Sequence, residues 1–496
     1  MNTYAYFARR FLQKPKRPFM ENESGEIISY ADVERETACY ANFLMGLGLR
    51  RGDRVAVQVE KSPQAVFVYL ACLRAGLCYL PLNNAYQQGE IRYFLGDAEP
   101  AVAICSPQNQ EWFASLCNDA KVANLLTLDQ NGHGTFAEAA AASPNEFITA
   151  ESQPDDLAVI IYTSGTTGRS KGAMVSHRNL TSNAQVLCDA WRITSDDILI
   201  HALPIFHIHG LFVALNTILL SGAKLILQRK FEAIAAIEQL PHATMLMGVP
   251  TFYTRLLAEQ SFTRDACKTM RLFVSGSAPL LLDTFNEFRS RTGHTILERY
   301  GMSEAGMICS NPYEGERRGG TVGKPLPGVS LHIAGGETGV IEIKGANVFS
   351  GYWRMPEKTQ EEFTDDGYFK TGDIGAIDHD GYVSIVGRAK DLIISGGFNV
   401  YPKEIELLID EIPGVAESAI IGLPHPDFGE AVTAVIVRDR DGGMLSEAEV
   451  IASIKNQLAN FKVPKRVYFV EELPRNTMGK VQKNVLRTQF ETADKY

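Results

Sequence analysis

The chain of 496 residues has no CxxC pair; its eight cysteines, at 39, 72, 78, 105, 117, 188, 267 and 309, show no zinc-like spacing. Scattered in this way they read as buried or free thiols of a reducing compartment, and a cytoplasmic location is expected. No stretch reaches the ~20 apolar residues of a membrane helix, so no membrane span is expected. The most hydrophobic region, 198–227, is broken by His201, Pro204, His207, His209, Asn216 and Lys224, as buried core would be. Positive charge is not in excess: 48 Lys+Arg against 58 Asp+Glu leave a net charge of −10. That balance argues against a broad surface for nucleic acid but leaves room for a small anion in a locally basic pocket. Internal repeats are absent too. The first 20 residues hold five basic residues and no acidic one. Without a long apolar signal core behind them, they read as an amphipathic first helix rather than a presequence.

A hydrophobic content of 45% is that of an ordinary globular protein, and the length asks for at least two domains. Short apolar runs at 54–59, 101–105, 157–162, 198–202, 224–228, 243–249 and 271–274 alternate with helix-compatible segments. Apolar strands followed by helices predict parallel sheets covered on both faces, with ligands at the strands' carboxyl ends. After about residue 315, glycine and acidic turn residues punctuate short strands, which predicts antiparallel sheet to about residue 386. From Asp391 a small α+β unit is expected: a strand, a helix at 402–410, strands near 418–422 and 431–438, a helix at 446–458, then a basic tail. The expected fold is therefore α/β, a large N-terminal domain (1–389) of parallel α/β sheets plus a distorted antiparallel region, followed by a small α+β domain (390–496). The expected hinge lies near Arg388–Asp391.

The apolar run 157–162 leads directly into Thr163-Ser-Gly-Thr-Thr-Gly-Arg-Ser-Lys-Gly172. Gly165, Gly168 and Gly172 free the backbone to turn its N–H groups toward one centre. Thr163, Ser164, Thr166 and Thr167 add hydroxyls, and Lys171 adds charge: an anion cradle suited to a polyphosphate. It is not a Walker A loop, since Ser170 rather than glycine precedes Lys171.

With Tyr162 in front, this loop resembles the YTSGTTGxPKG signature of the adenylate-forming superfamily of acyl- and aryl-CoA synthetases, adenylation domains and luciferases; Ser170 replaces the usual proline. Four further segments match in order. Glu298-Arg-Tyr-Gly-Met-Ser-Glu304 resembles the YGxTE element. The resemblance implies that Tyr300, with Gly301 and Met302, meets adenine, that Ser303 meets the α-phosphate, and that Glu304 with Thr163 holds Mg²⁺. Tyr368-Phe-Lys-Thr-Gly-Asp373 and Gly387-Arg-Ala-Lys-Asp391 resemble the segments that place Asp373 on the ribose hydroxyls, Arg388 on ribose or phosphate, and Lys390 at the hinge. Pro474-Arg-Asn-Thr-Met-Gly-Lys480 resembles the PxxxxGK motif, whose lysine, here Lys480, stabilises charge between substrate carboxylate and α-phosphorus. The small domain is then mobile, and a second pose brings Ser395-Gly-Gly-Phe-Asn399 to the site, with Gly396 and Gly397 along the pantetheine arm of coenzyme A.

For the acid, Pro204-Ile-Phe-His-Ile-His-Gly210 resembles the acyl-pocket element, with His207 as its pocket member. Ser275-Gly-Ser-Ala-Pro279 would put Ser277 on the acid and Ala278-Pro279 beside adenine. Gly248-Val-Pro-Thr-Phe-Tyr-Thr-Arg255 resembles the VPT segment, and Arg255 lies one helical turn beyond Thr251. An arginine there suits a second, distal carboxylate, and the combination resembles the malonyl-CoA synthetases. The implied reaction turns malonate, ATP and CoA into malonyl-CoA, AMP and diphosphate, by a monomer or homodimer. The competing readings are a ligase for methylmalonate or for a short-chain, fatty or aryl acid, an adenylation enzyme that loads a carrier protein, and a non-catalytic nucleotide-binding protein.

Overall fold

Strands buried on both faces pair in parallel when helices supply the two covers. The structure is a computed structural model that describes residues 1–163, 170–395, 398–425, 428–439, 445–455, 457–458, 460–476 and 479–491. In it the seven apolar runs become Arg54–Gln58, Val102–Cys105, Leu157–Thr163, Ile198–His201, Lys224–Leu227, Met245–Gly248 and Leu272–Ser275. A six-stranded sheet orders Asn124–Thr127, Val102–Cys105, Arg54–Gln58, Cys78–Pro81, Leu157–Thr163 and Lys171–Ser176, all parallel except the last pair. A nine-stranded sheet runs Lys324–Pro325, Gly306–Ser310, Leu297–Met302, Leu272–Ser275, Met245–Gly248, Ile198–His201, Lys224–Leu227, Pro18–Glu21 and Ile27–Ser29. It is parallel from Leu297–Met302 through Pro18–Glu21.

The helices covering these sheets begin where the sequence supplies a cap. Ser29 caps Tyr30–Gly46 reciprocally with Asp32, and Ser62 with Pro63 starts Pro63–Ala75. The region 198–227 is core as expected: between its two strands lie a π-helical turn His209–Leu215 and a helix Asn216–Ser221, buried but for Ser221. Among the described residues no helix is long and apolar enough to cross a membrane. All eight cysteines are free thiols, seven of them buried.

The basic N-terminal segment folds as the amphipathic helix Thr3–Phe11, capped by Asn2, with Tyr4, Phe7 and Phe11 turned into the core. His177 fastens its first turn: Nδ1 accepts from the Thr3 backbone N–H at 3.1 Å and lies 2.8 Å from its hydroxyl. Burial lowers the His177 pKa to about 4. Burial and then the neighbouring Lys61 lower that of His201 to about 3. Both histidines fold as the neutral form, so the unfolded chain takes up their protons first as pH falls. Their contribution is complete above the ordinary histidine pKa near 6.5 and shrinks on the way down to pH 4, by up to about 1.4 kcal/mol per pH unit per group. Thermal melts at pH 7 and pH 5 should show a lower Tm at pH 5, and His177→Gln should reduce that difference.

Two compact units result: Met1–Ser330 with Lys344–Phe369, and Leu331–Ile343 with Lys370–Tyr496. The second contains most of the four-stranded sheet Val329–Ala334, Thr338–Gly345, Phe369–Ile377 and Val383–Arg388, whose last pair is antiparallel. It also contains a five-stranded sheet built on the long antiparallel pair Val415–His425 and Gly429–Arg438, with helices Pro402–Asp410 and Glu447–Lys455. The tail expected after 458 is instead structured: Arg466–Val470 adds a parallel strand beside Gly429–Arg438, and helix Lys483–Glu491 buries Leu486 and Phe490. Lysines and arginines on the outward positions conceal this apolar stripe from a reading by composition.

Candidate active site

The carboxyl ends of neighbouring parallel strands lie side by side, so register decides which loops meet. Gly248 pairs with Ser275, and Ser275 with Glu298. One residue further on, Gly276 therefore faces Arg299. A Cβ on Gly276 would sit 2.5 Å from the guanidinium carbon, so a larger residue there would displace the guanidinium. Arg299 is buried, and among the described residues its Nε and Nη2 have no hydrogen-bond partner. Burial lowers its pKa to about 9, with Tyr253 and Glu298 acting in the opposite direction. Buried donors without a partner among the described residues are rare and call for an explanation.

Ser277 follows with φ of +73°, a strained conformation for a residue with a Cβ. Its hydroxyl lies 3.3 Å from Nδ1 of His209. His209 is fully buried, and its Nε2 has no partner among the described residues. Burial, and then the charge of Arg299, hold its pKa well below the ordinary histidine value, so the ring is neutral. The histidine expected in this pocket, His207, is half-buried, and its Nδ1 accepts from the His209 backbone N–H at 3.2 Å. His209 rather than His207 thus meets Ser277. The preceding His201 is held by Lys61 on Nδ1 and by the Gly210 carbonyl on Nε2, 2.8 Å each. Pro250 starts the helix Pro250–Ala258 as expected, and Arg255 lies on its exposed side, in no ion pair among the described residues. Ala278 is half-buried and Pro279 exposed.

A second cluster gathers where the phosphate loop leaves its strand. Thr163 and Lys171 are register partners. The Thr163 hydroxyl donates to Glu304 Oε1 at 3.3 Å, and the Tyr352 hydroxyl donates to the same oxygen at 3.1 Å. Lys171 is buried, pairs with Glu362 at 3.2 Å and lies 4.2 Å from the centre of the Tyr352 ring. Ser164, Gly165, Thr166, Thr167 and Gly168 lie outside the described residues. Tyr300 is buried in strand Leu297–Met302, with Gly301 and Met302 after it, and Ser303 is half-buried before the buried Glu304.

In the second compact unit, Asp373 and Arg388 are register partners, joined by a 2.7 Å ion pair from Arg388 Nε. Lys480 is exposed behind a turn in which its backbone N–H donates to Asn476 Oδ1 at 3.0 Å. Gly396 and Gly397 lie outside the described residues, between the paired strands Ile393–Ser395 and Phe398–Val400.

Residues 7–353 match the model of the AMP-binding enzyme family, and residues 404–480 match that of the AMP-binding enzyme C-terminal domain. The chain belongs to the AMP-binding enzyme family. It is similar to ATP-bound MatB from Rhodopseudomonas palustris, at 53% identity and a TM-score of 0.97 with the whole of both chains covered. It is 35% identical to the malonate–CoA ligase of Arabidopsis thaliana over 90% of this chain and 80% of that protein. It is 34% identical to the feruloyl-CoA synthase of an Amycolatopsis species over 94% of each.

For an AMP-binding enzyme the donor set around Glu304 fits Mg²⁺. A single buried carboxylate, with hydroxyls donating to it, leaves most of the ion's positions to water and phosphate oxygens, as Mg²⁺ prefers. Among the described residues no group of three or more His, Cys, Asp or Glu side chains forms an all-protein cage for a metal. Sequence reasoning alone had not singled out Arg299, His209, Tyr352 or Glu362. For Arg299 a signal existed: with Glu298 it puts two adjacent charges in a buried strand, and buried charge needs a reason to be there.

Proposed function

We propose that this AMP-binding enzyme is an acid–thiol ligase that joins malonate to coenzyme A through a malonyl-adenylate. The observation that carries the reading is the buried guanidinium of Arg299, with Nε and Nη2 unpartnered among the described residues, beside Ser277 and the neutral His209. A distal carboxylate a few ångströms from the reacting one would satisfy those donors, whereas a methyl or an aryl ring would leave them unpaired. The similarity to a malonate–CoA ligase supports the same substrate.

In the first step a substrate carboxylate oxygen attacks the α-phosphorus of ATP, the α–β anhydride bond breaks and pyrophosphate leaves. In the second, the thiol sulfur of CoA attacks the acyl carbon and AMP leaves. The protein's work is positioning and charge neutralisation. Lys171 and the phosphate loop take the polyphosphate. Tyr300, with Gly301 and Met302, flanks adenine opposite Ala278 and Pro279, and Ser303 donates to the α-phosphate. Asp373, held by Arg388, takes the ribose hydroxyls. Glu304 and Thr163 would hold Mg²⁺, which when bound neutralises triphosphate charge. Lys480 acts at the forming bond. His207 and Arg255 complete the acid pocket. Rotation about Lys390, moving residues 390–496, would exchange Lys480 for Gly396 and Gly397 between the two steps.

A second reading, an aryl-acid ligase, is favoured by similarity to a feruloyl-CoA synthase at nearly equal identity. CoA-dependent AMP formation with malonate, methylmalonate, succinate, acetate, ferulate and a medium-chain fatty acid separates the readings. Malonate should be preferred and acetate, ferulate and the fatty acid should be nearly inert; preference for ferulate or the fatty acid would sink the malonate assignment. Arg255→Ala should lower malonate kcat/KM about tenfold, as loss of one exposed charge contact does, without changing ATP affinity.

A further inference from the structure

The ammonium of Lys171 is already paired within its own subunit: Glu362, 191 residues further along the chain, places Oε1 3.2 Å from it. The Lys171 side chain is only 10% exposed and the Glu362 side chain 23%. A nearly buried ammonium is costly without an anion, so this carboxylate supplies the charge Lys171 requires when the site holds no nucleotide. The same Glu362 oxygen lies 3.3 Å from Lys358, one turn back on helix Pro356–Glu362, and Lys358 also pairs with Glu361 at 2.8 Å. Glu362 thus stands between two lysines, one at the mouth of the phosphate loop and one outside it.

We propose that Glu362 is a resident anion of the phosphate site, competing with the β- and γ-phosphates for Lys171 and retiring to Lys358 when they bind. The proposal rests on the reading that Lys171 meets the polyphosphate. A triphosphate at Lys171 brings like charge against the Glu362 carboxylate, and the two cannot share one ammonium without repulsion. Part of the binding free energy of any polyphosphate is therefore spent on displacing Glu362. Such an arrangement weakens ATP and pyrophosphate together, which favours product departure, and leaves AMP, which has only the α-phosphate, untouched.

Isothermal titration of the full chain with a non-hydrolysable ATP analogue, magnesium pyrophosphate and AMP tests this. Glu362→Gln should tighten the analogue and pyrophosphate by about three- to tenfold, the range of a partly exposed ion pair, while AMP changes less than about twofold. Glu362→Asp should fall between wild type and Gln, and Lys358→Met, which removes the retreat, should weaken the analogue. The gain in Glu362→Gln should shrink as salt is raised. Equal or weaker binding of the analogue and pyrophosphate by Glu362→Gln overturns the proposal, as does an equal tightening of AMP. Lys171→Met tests the underlying reading separately: it should lose affinity for the analogue and pyrophosphate, and wild-type affinity in that variant removes both the phosphate role of Lys171 and the proposal.

Discussion

Replacing Arg299 by methionine is expected to lower kcat/KM for malonate about 10³-fold while leaving the Tm unchanged or raised. The two effects have one cause. In the free protein Arg299 is a desolvated charge with Nε and Nη2 unpartnered among the described residues, a state that costs stability, and an apolar side chain of similar volume relieves it. In the complex those donors would be matched by the distal carboxylate, and removing them strands a buried anion, a penalty of about 3–5 kcal/mol. Initial rates with malonate and with propionate, beside a thermal melt, read both effects. Propionate, which has a methyl in place of the distal carboxylate, should gain relative to malonate in the variant. Arg299→Lys keeps the charge but loses the planar fork, and should fall between the two. Malonate turnover within about threefold of wild type in Arg299→Met would remove Arg299 from the acid pocket.

Lys480→Ala should reduce malonate-dependent ATP–pyrophosphate exchange by about 10²–10⁴-fold, the range for losing a preorganised charge at a reaction centre. Stability should not follow, because the side chain is exposed and the turn that carries it is made by backbone groups and Asn476. The second half-reaction, supplied with synthetic malonyl-adenylate and CoA, should proceed within a few-fold of wild type, since by then the charge at the α-phosphorus has been resolved. A parallel loss in both half-reactions would contradict the assignment of Lys480 to adenylation.

Much of the fold was legible before any coordinates. The runs at 54–59, 157–162 and 271–274 are strands within a residue or so, because side-chain apolarity and turn chemistry act over a few positions. Pro250 starts its helix and residues 402–410 form theirs as expected, again for local reasons. The structured tail at Arg466–Val470 and Lys483–Glu491 escaped notice because its charges face outward over a narrow apolar stripe.

The site divides in the same way. Order and spacing along the chain identify the loop at 163–172, the segment 298–304, Asp373 and Lys480, since each motif is a contiguous piece of backbone with its own chemistry. Meetings between distant pieces have no such local signature. Gly276 faces Arg299 because of strand register, His209 rather than its neighbour His207 reaches Ser277 because a π-helical turn starts there, and Glu362 reaches Lys171 across 191 residues. The chain's pattern alone thus settles which elements form and which chemical groups are available. Which of those groups lose water together, and so which charges are left needing a ligand, follows from long-range packing, because burial depends on neighbours that no short stretch of sequence contains.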